Sequence, residues 1–156
     1  VVTVTGKTLA HPANLLVRIG TPIRSLIELC GGMPQDSLKV INGGPMKGRA
    51  VSNIDAPVTK GTSGVVIMRN CEALRPASGS CIKCAKCVSV CPMALEPYLM
   101  SKLSQRGRYD ELEPLKITDC IECGSCAYTC PAALPLLDYI RLGKSETIKR
   151  IRARKS

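Results

Sequence analysis

Apolar and polar residues alternate with a period of two through residues 1–5, Val-Val-Thr-Val-Thr, and Gly6 ends the run. That pattern predicts a β-strand with one buried face. A second strand is predicted over residues 15–19, beyond a loop at His11-Pro12. The period then lengthens. Ile23, Leu26, Ile27 and Cys30 recur at helical spacing between Thr21-Pro22, read as an N-cap with a first-turn proline, and the stop at Gly31-Gly32. Residues 38–41 and 64–68 are short apolar runs bounded by turn residues and predict further strands. Two strands, one helix and two or more strands form an α+β layer of the β-grasp type, assigned to residues 1–70.

The second half has a different rhythm. Residues 71–80 include Arg75-Pro76 and Ser78-Gly79-Ser80 and read as a linker. Leu95, Leu99 and Leu103 then repeat every four residues up to Arg106-Gly107, and Tyr109 with Leu112 marks a shorter helix before Pro114. From Pro135 a third helix carries Leu136, Leu137 and Ile140 and runs on into Lys144, Lys149, Arg150, Arg152, Arg154 and Lys155. Residues 81–142 are therefore expected to form a helical domain and residues 143–156 a basic tail, solvated or docked on an anionic subunit or lipid surface.

Cysteine spacing gives the helical half its chemistry. Cys81, Cys84, Cys87 and Cys91 are followed by Pro92, and Cys120, Cys123, Cys126 and Cys130 by Pro131. Each run is C-x₂-C-x₂-C-x₃-C-P, the pattern that wraps a [4Fe-4S] cluster, with the fourth cysteine serving the other run's cluster. The expected ligand sets are Cys81, Cys84, Cys87 and Cys130 for one cluster, and Cys120, Cys123, Cys126 and Cys91 for the other. Zinc also takes four thiolates but does not need a third cysteine at the same spacing. Disulfides between cysteines so close in sequence bridge poorly. Cys30 falls on an apolar helical stripe and reads as core, Cys71 lies outside two runs that already supply both clusters fully, and the single histidine, His11, has no companion ligand.

Composition adjusts this picture in three ways. With four tyrosines and no tryptophan or phenylalanine, the chain buries limited aromatic area, so the clusters are expected to staple the second half. The formal charge of +10 remains positive after eight thiolates and two cluster cores are counted, which suits an acidic redox partner or an anionic surface. Nucleic acid is not expected, because no aromatic residues are interleaved with the basic ones. The chain shows no apolar run of membrane-spanning length and no signal sequence, and reads as a soluble intracellular piece excised from a longer protein. Lys83 and Lys86 beside the first run, against Glu122 and Ser125 in the second, predict a higher potential for the first cluster. Gly43, Gly44, Pro45 and Met46 form either a tight turn or a loop open to close approach by a flavin or other ligand.

The order of Gly43-Gly44-Pro45-Met46 with Gly48, Pro57-Val58-Thr59-Lys60, the two Cys-Ile-x-Cys-x-x-Cys-x-x-x-Cys-Pro runs and residues 136–141 resembles the C subunits of Rnf electron-transport complexes. Lys47 and Ala85 depart from the family's usual methionine and glycine. The resemblance implies an SLBB-like β-grasp module followed by a two-cluster ferredoxin domain. It also implies a parent enzyme that passes electrons between NADH and ferredoxin while membrane-embedded partner subunits move ions. Such a subunit would be peripheral, on the cytoplasmic side of the membrane. FMN and NADH would be held by a preceding domain, because no glycine-rich dinucleotide fingerprint occurs here. This stretch would relay single electrons without oxidising NADH. A cobalamin reductase of bacterial microcompartments, with a corrinoid as acceptor, has a similar architecture. A binding module with purely structural clusters is a third reading.

Overall fold

The computed structural model describes residues 1–155; Ser156 and the side chain of Lys155, both within the expected basic tail, lie outside the described residues. The chain divides into two compact units, Val1–Arg75 and Pro76–Ser156.

The first unit is a five-stranded sheet in the order β2-β1-β5-β3-β4, built from β1 (Val2–Gly6), β2 (Ala13–Leu15), β3 (Ser37–Asn42), β4 (Arg49–Val51) and β5 (Gly64–Arg69). Central strands β1 and β5 run parallel, with Val4 opposite Val65, and the outer pairs are antiparallel. Helix α1 (Ile23–Leu29) places Ile23, Leu26 and Ile27 against Val2, Val4, Val40, Val65 and Ile67, and all eight are buried. The period-two strand pattern and the helical stripe thus meet in one apolar layer, the β-grasp arrangement expected of an α+β domain.

Three details differ from the sequence expectation. The second strand occupies Ala13–Leu15 rather than residues 15–19, with Ala13, Asn14 and Leu15 opposite Val4, Thr3 and Val2. The Thr3 hydroxyl donates to Asn14 Oδ1 at 2.8 Å and helps fix that register, while Leu16 and Ile19 are exposed. The α1 N-cap is Pro22, not Thr21, whose hydroxyl donates to the Arg18 carbonyl. Backbone N–H groups of Ile23 and Arg24 instead donate to the carbonyls of Ala56 and Ile54, so a distant loop satisfies donors that a cap would otherwise serve. Arg24 reinforces that loop through two hydrogen bonds to Asp55, and this pairing holds the Asp55 carboxyl below its ordinary range. Lastly, part of the expected linker is a short helix, α2 (Asn70–Ala73), whose terminal carbonyl accepts from Lys39 Nζ. Glu72 of this helix pairs with Lys7.

The second unit contains α3 (Lys86–Ser89), α4 (Pro97–Gln105), α5 (Ser125–Tyr128) and α6 (Leu136–Lys155), with 3₁₀ turns at Tyr109–Glu111 and Ile117–Asp119. The α3–α4 and α5–α6 pairs repeat at the offset that separates Cys81 from Cys120, so the two cysteine runs each lead into a one-turn helix and then a core helix. Leu95, Met100, Leu103, Leu112, Ile117 and Ile140 are buried between them. The expected basic tail is the second half of α6, with Thr147 buried in it. Arg150 pairs with Asp110 at 2.5 Å and lies over the Tyr109 ring, and Arg154 pairs with Glu113.

At Gly143, α6 leaves no room for a side chain. A Cβ there would stand 2.1 Å from Ser104 Oγ and 2.8 Å from Leu112 Cδ1. Ser104 is itself buried and its hydroxyl donates to the Met100 carbonyl, so little room is available for it to retreat. In an open helix, glycine to alanine stabilises by about 1 kcal/mol. Here Gly143→Ala should reverse that sign and destabilise the cluster-loaded chain by about 1–3 kcal/mol through overpacking. Urea unfolding measures this; a raised midpoint would show that α6 does not need the close approach.

Candidate metal centre

Each cysteine run begins as an irregular loop because two of its residues take the left-handed conformation. They are Lys83 (φ 57°) and Ala85 (φ 58°) in the first run, and Glu122 (φ 54°) and Gly124 (φ 84°) in the second. These reversals curl the chain between the thiols, and the third cysteine, Cys87 or Cys126, then sits on the one-turn helix that follows. After each Cys-Pro a further left-handed residue, Ala94 or Ala133, turns the chain, with its N–H donating to the carbonyl of Cys91 or Cys130. All non-glycine residues with positive φ among the described residues lie in this unit. Left-handed alanine costs about 1–2 kcal/mol, so such geometry persists only where its surroundings enforce it.

The loops bring cysteines of both runs together in two places. Cys81, Cys84 and Cys87 line a cavity of about 610 Å³ together with Cys130 of the second run. Cys120, Cys123 and Cys126 line a much tighter apolar space of about 20 Å³ together with Cys91 of the first. Cys30 and Cys71 enter neither: Cys30 is buried in the core of the first unit, and Cys71 is exposed on α2.

The thiol environments are graded. Burial, before any other cause, pushes the Cys87 and Cys120 thiols up and takes Cys126 to about 11. Neighbouring thiols add to this, Cys130 acting on Cys87, Cys91 on Cys120, and Cys87 on Cys126 across the two sites. Backbone N–H groups oppose it: Tyr98 and Val88 donate toward Cys87, Ala127 toward Cys126, and Leu95 toward Cys91 Sγ at 3.4 Å. Desolvated thiols backed by amide donors are suited to a soft metal that replaces their protons and leaves anionic sulfur in need of hydrogen bonds. Among the described residues no three ligand side chains converge on a point that would hold a single metal ion. Four thiols, three from one run and one from the other, border each site.

Two features of the site were not anticipated from sequence. Glu122, read as negative charge beside the second run, accepts from Arg141 Nε at 3.0 Å and lies 3.7 Å from Lys144 Nζ, so its charge is answered locally. Lys144 Nζ also donates to the Cys120 carbonyl at 2.6 Å, which ties α6 directly to the second cysteine loop. The helical periodicity of α6 placed these residues on one side, but nothing in the spacing disclosed that the cysteine loop would fold over them.

The loop at residues 43–48 closes the β3–β4 hairpin. Gly43 has φ 108°, and a Cβ on Gly48 would meet Ile41 Cγ2 at 2.3 Å and the Gly44 carbonyl oxygen at 2.7 Å, so the turn itself requires both glycines. Gly44 differs: its φ is not left-handed, and a Cβ there would meet nothing within 4 Å. Pro45 and Met46 stand at the exposed tip.

Residues 1–50 match the SLBB domain and residues 74–131 the 4Fe-4S dicluster domain. The chain is 45% identical over 94% of its length to the C subunit of the proton-translocating ferredoxin:NAD(+) oxidoreductase complex of Clostridium ljungdahlii. It is 44% identical, also over 94%, to the Na(+)-translocating counterpart of Acetobacterium woodii. Over 96% of its length it is 38% identical to the C subunit of the ion-translocating oxidoreductase complex of Rhodobacter capsulatus. The chain covers 32%, 33% and 29% of those relatives respectively, so it spans about a third of their length.

Strain in the first loop gives a direct test. Ala85 occupies the left-handed position that Gly124 fills in the second run. Ala85→Gly should stabilise the loaded second unit by about 1 kcal/mol, and Gly124→Ala should cost about as much. Urea midpoints of the two variants moving in the same direction would contradict the equivalence of the loops.

Proposed function

We propose, for a chain that joins an SLBB domain to a 4Fe-4S dicluster domain and is homologous to the C subunits of ion-translocating ferredoxin:NAD(+) oxidoreductase complexes, that this stretch is the electron relay of a peripheral subunit of an Rnf-type complex. The observation that carries the reading is the pair of adjoining thiol cavities, each lined by three cysteines of one run and one of the other. Cys81, Cys84, Cys87 and Cys130 would hold one [4Fe-4S] cluster, and Cys120, Cys123, Cys126 and Cys91 the second. When bound, such clusters supply one-electron transfer. The chain's own groups bind the cores through thiolate sulfur, donate amide hydrogen bonds to that sulfur, and exclude water from the second site with Leu95, Met100, Leu137 and Ile140.

Hydride chemistry needs a flavin to divide the electron pair, and FMN and NADH are assigned to the remainder of the parent protein. The parent's partners are the membrane-embedded and other peripheral subunits of the same complex, with this subunit on the cytoplasmic side. Among the described residues no helix is long and apolar enough to cross a membrane, in keeping with a peripheral place. The tip at Gly44, Pro45 and Met46 is assigned to close contact with a flavin or another ligand, since the fold does not itself demand glycine at position 44. The corrinoid-reductase alternative receives no comparable support, because the relatives described above are all C subunits of these oxidoreductase complexes.

Purified without oxygen, the chain should carry about eight irons and show two clusters that reduce and reoxidise reversibly, without oxidising NADH or retaining FMN. Clusters that fail to titrate, or NADH oxidation by this chain alone, would overturn the relay reading.

A further inference from the structure

The two cysteine sites differ in how their positive charge is answered. Around the second, Glu122 accepts from Arg141 and forms an ion pair with Lys144, and farther along α6 Lys149, Arg150 and Arg154 pair with Glu146, Asp110 and Glu113. At the same offset in the first repeat, Lys83 replaces Glu122, Lys102 replaces Arg141 and Gln105 replaces Lys144. The acidic residue that neutralises the second site has therefore become a third cation. Lys83, Lys86 and Lys102 all line the first cavity, all are exposed, and none forms an ion pair among the described residues.

Access differs in the same direction. Cys81 and Cys84 of the first site are exposed, whereas Cys126 of the second is buried and its cavity is apolar and tight. Ile82 is 67% exposed and Tyr98 is 41% exposed, so the rim of the first site also offers apolar surface. Exposed apolar residues beside lysines without ion pairs have the character of a transient electron-transfer interface, in which charge steers the encounter and a small contact permits rapid release.

We propose that the face formed by Lys83, Lys86, Lys102, Ile82 and Tyr98 is the docking port for an acidic one-electron carrier, so that electrons cross the protein surface at the first cysteine site. The proposal rests on the relay reading above and adds which site meets the outside and what chemistry its partner has. An anionic membrane is the less fitting occupant, because the lysines surround exposed thiols rather than an apolar helix face that would enter lipid. The port makes the second site, whose Cys126 is buried, the inner station.

The test uses the cluster-loaded chain and stopped-flow electron exchange with two probes, a small acidic ferredoxin and a viologen of zero net charge. Lys83→Glu, Lys86→Glu, Lys102→Glu should lower the ferredoxin rate relative to the viologen rate by at least about tenfold at low salt. The difference should shrink to about twofold at high ionic strength. A control with the same charge change on the first unit, Arg18→Glu, Arg49→Glu, Lys60→Glu, should lower that ratio much less. Equal losses in the two triple variants, or no loss in the first, would overturn the port.

If the lysine triple variant loses a cluster EPR signal, Lys86→Gln, Lys102→Gln carries the same comparison, with an expected fall of about threefold. Reduced binding to phosphatidylglycerol vesicles with an unchanged ferredoxin ratio would assign the face to lipid and refute the carrier. A wild-type chain that exchanges electrons with neither probe would instead defeat the relay reading itself.

Discussion

Each cysteine cavity of the second unit is completed from the other run, by Cys130 at the first site and by Cys91 at the second. That exchange constrains everything around it. Cys91 and Cys130 stand at the ends of the one-turn helices and just before α4 and α6, so placing both thiols requires the two core helices to pack closely. Gly143 permits that packing at Ser104, and the Leu112 and Ile117 turns fill the remaining apolar volume. A chain with little aromatic surface gains few large side chains for its core; under the proposed ligation, metal cross-linking the two runs would compensate by making binding and folding one equilibrium.

The first unit needs no such device. Its sheet and α1 enclose a contiguous apolar layer, and local satisfaction of polar groups supplies the rest: loop carbonyls at the α1 N-terminus, the Arg24–Asp55 pair, and α2 docked by Lys39 and Lys7. The division into two modules agrees with the two domain families matched along the chain, SLBB over residues 1–50 and the 4Fe-4S dicluster domain over residues 74–131. Loss of metal should therefore unfold the second unit and leave the first intact.

Legibility in the sequence followed the range of the underlying interactions. Period-two strands around Val4, Val65 and Ile67 and the stripe Ile23, Leu26, Ile27 were readable because one buried face imposes them. The short strand Arg49–Val51 was not, since its residues are mostly exposed and its pairing follows from the tight turn before it. The second strand shows the same limit: its register follows from pairing with Val2–Val4, including the Thr3–Asn14 hydrogen bond, which residues 13–19 taken alone do not disclose. At the metal centre the cysteines were legible through spacing alone. The neutralisation of Glu122 was not, because Arg141 and Lys144 reach it only after the second loop folds onto α6. A repeat comparison extended past the cysteines would have aligned Lys102 with Arg141 and exposed the contrast between the two sites.

The ligation proposed for the two clusters has the fourth thiolates crossing between runs. Cys81 and Cys91 lie in one run yet line different cavities. EPR of each reduced cluster in a Cys81→Ser, Cys91→Ser double variant tests this most directly. Crossed ligation predicts that both signals are altered, even where serine partly substitutes or a cluster sheds one iron. One four-iron signal identical to the wild type would contradict it and show that each run holds its own cluster.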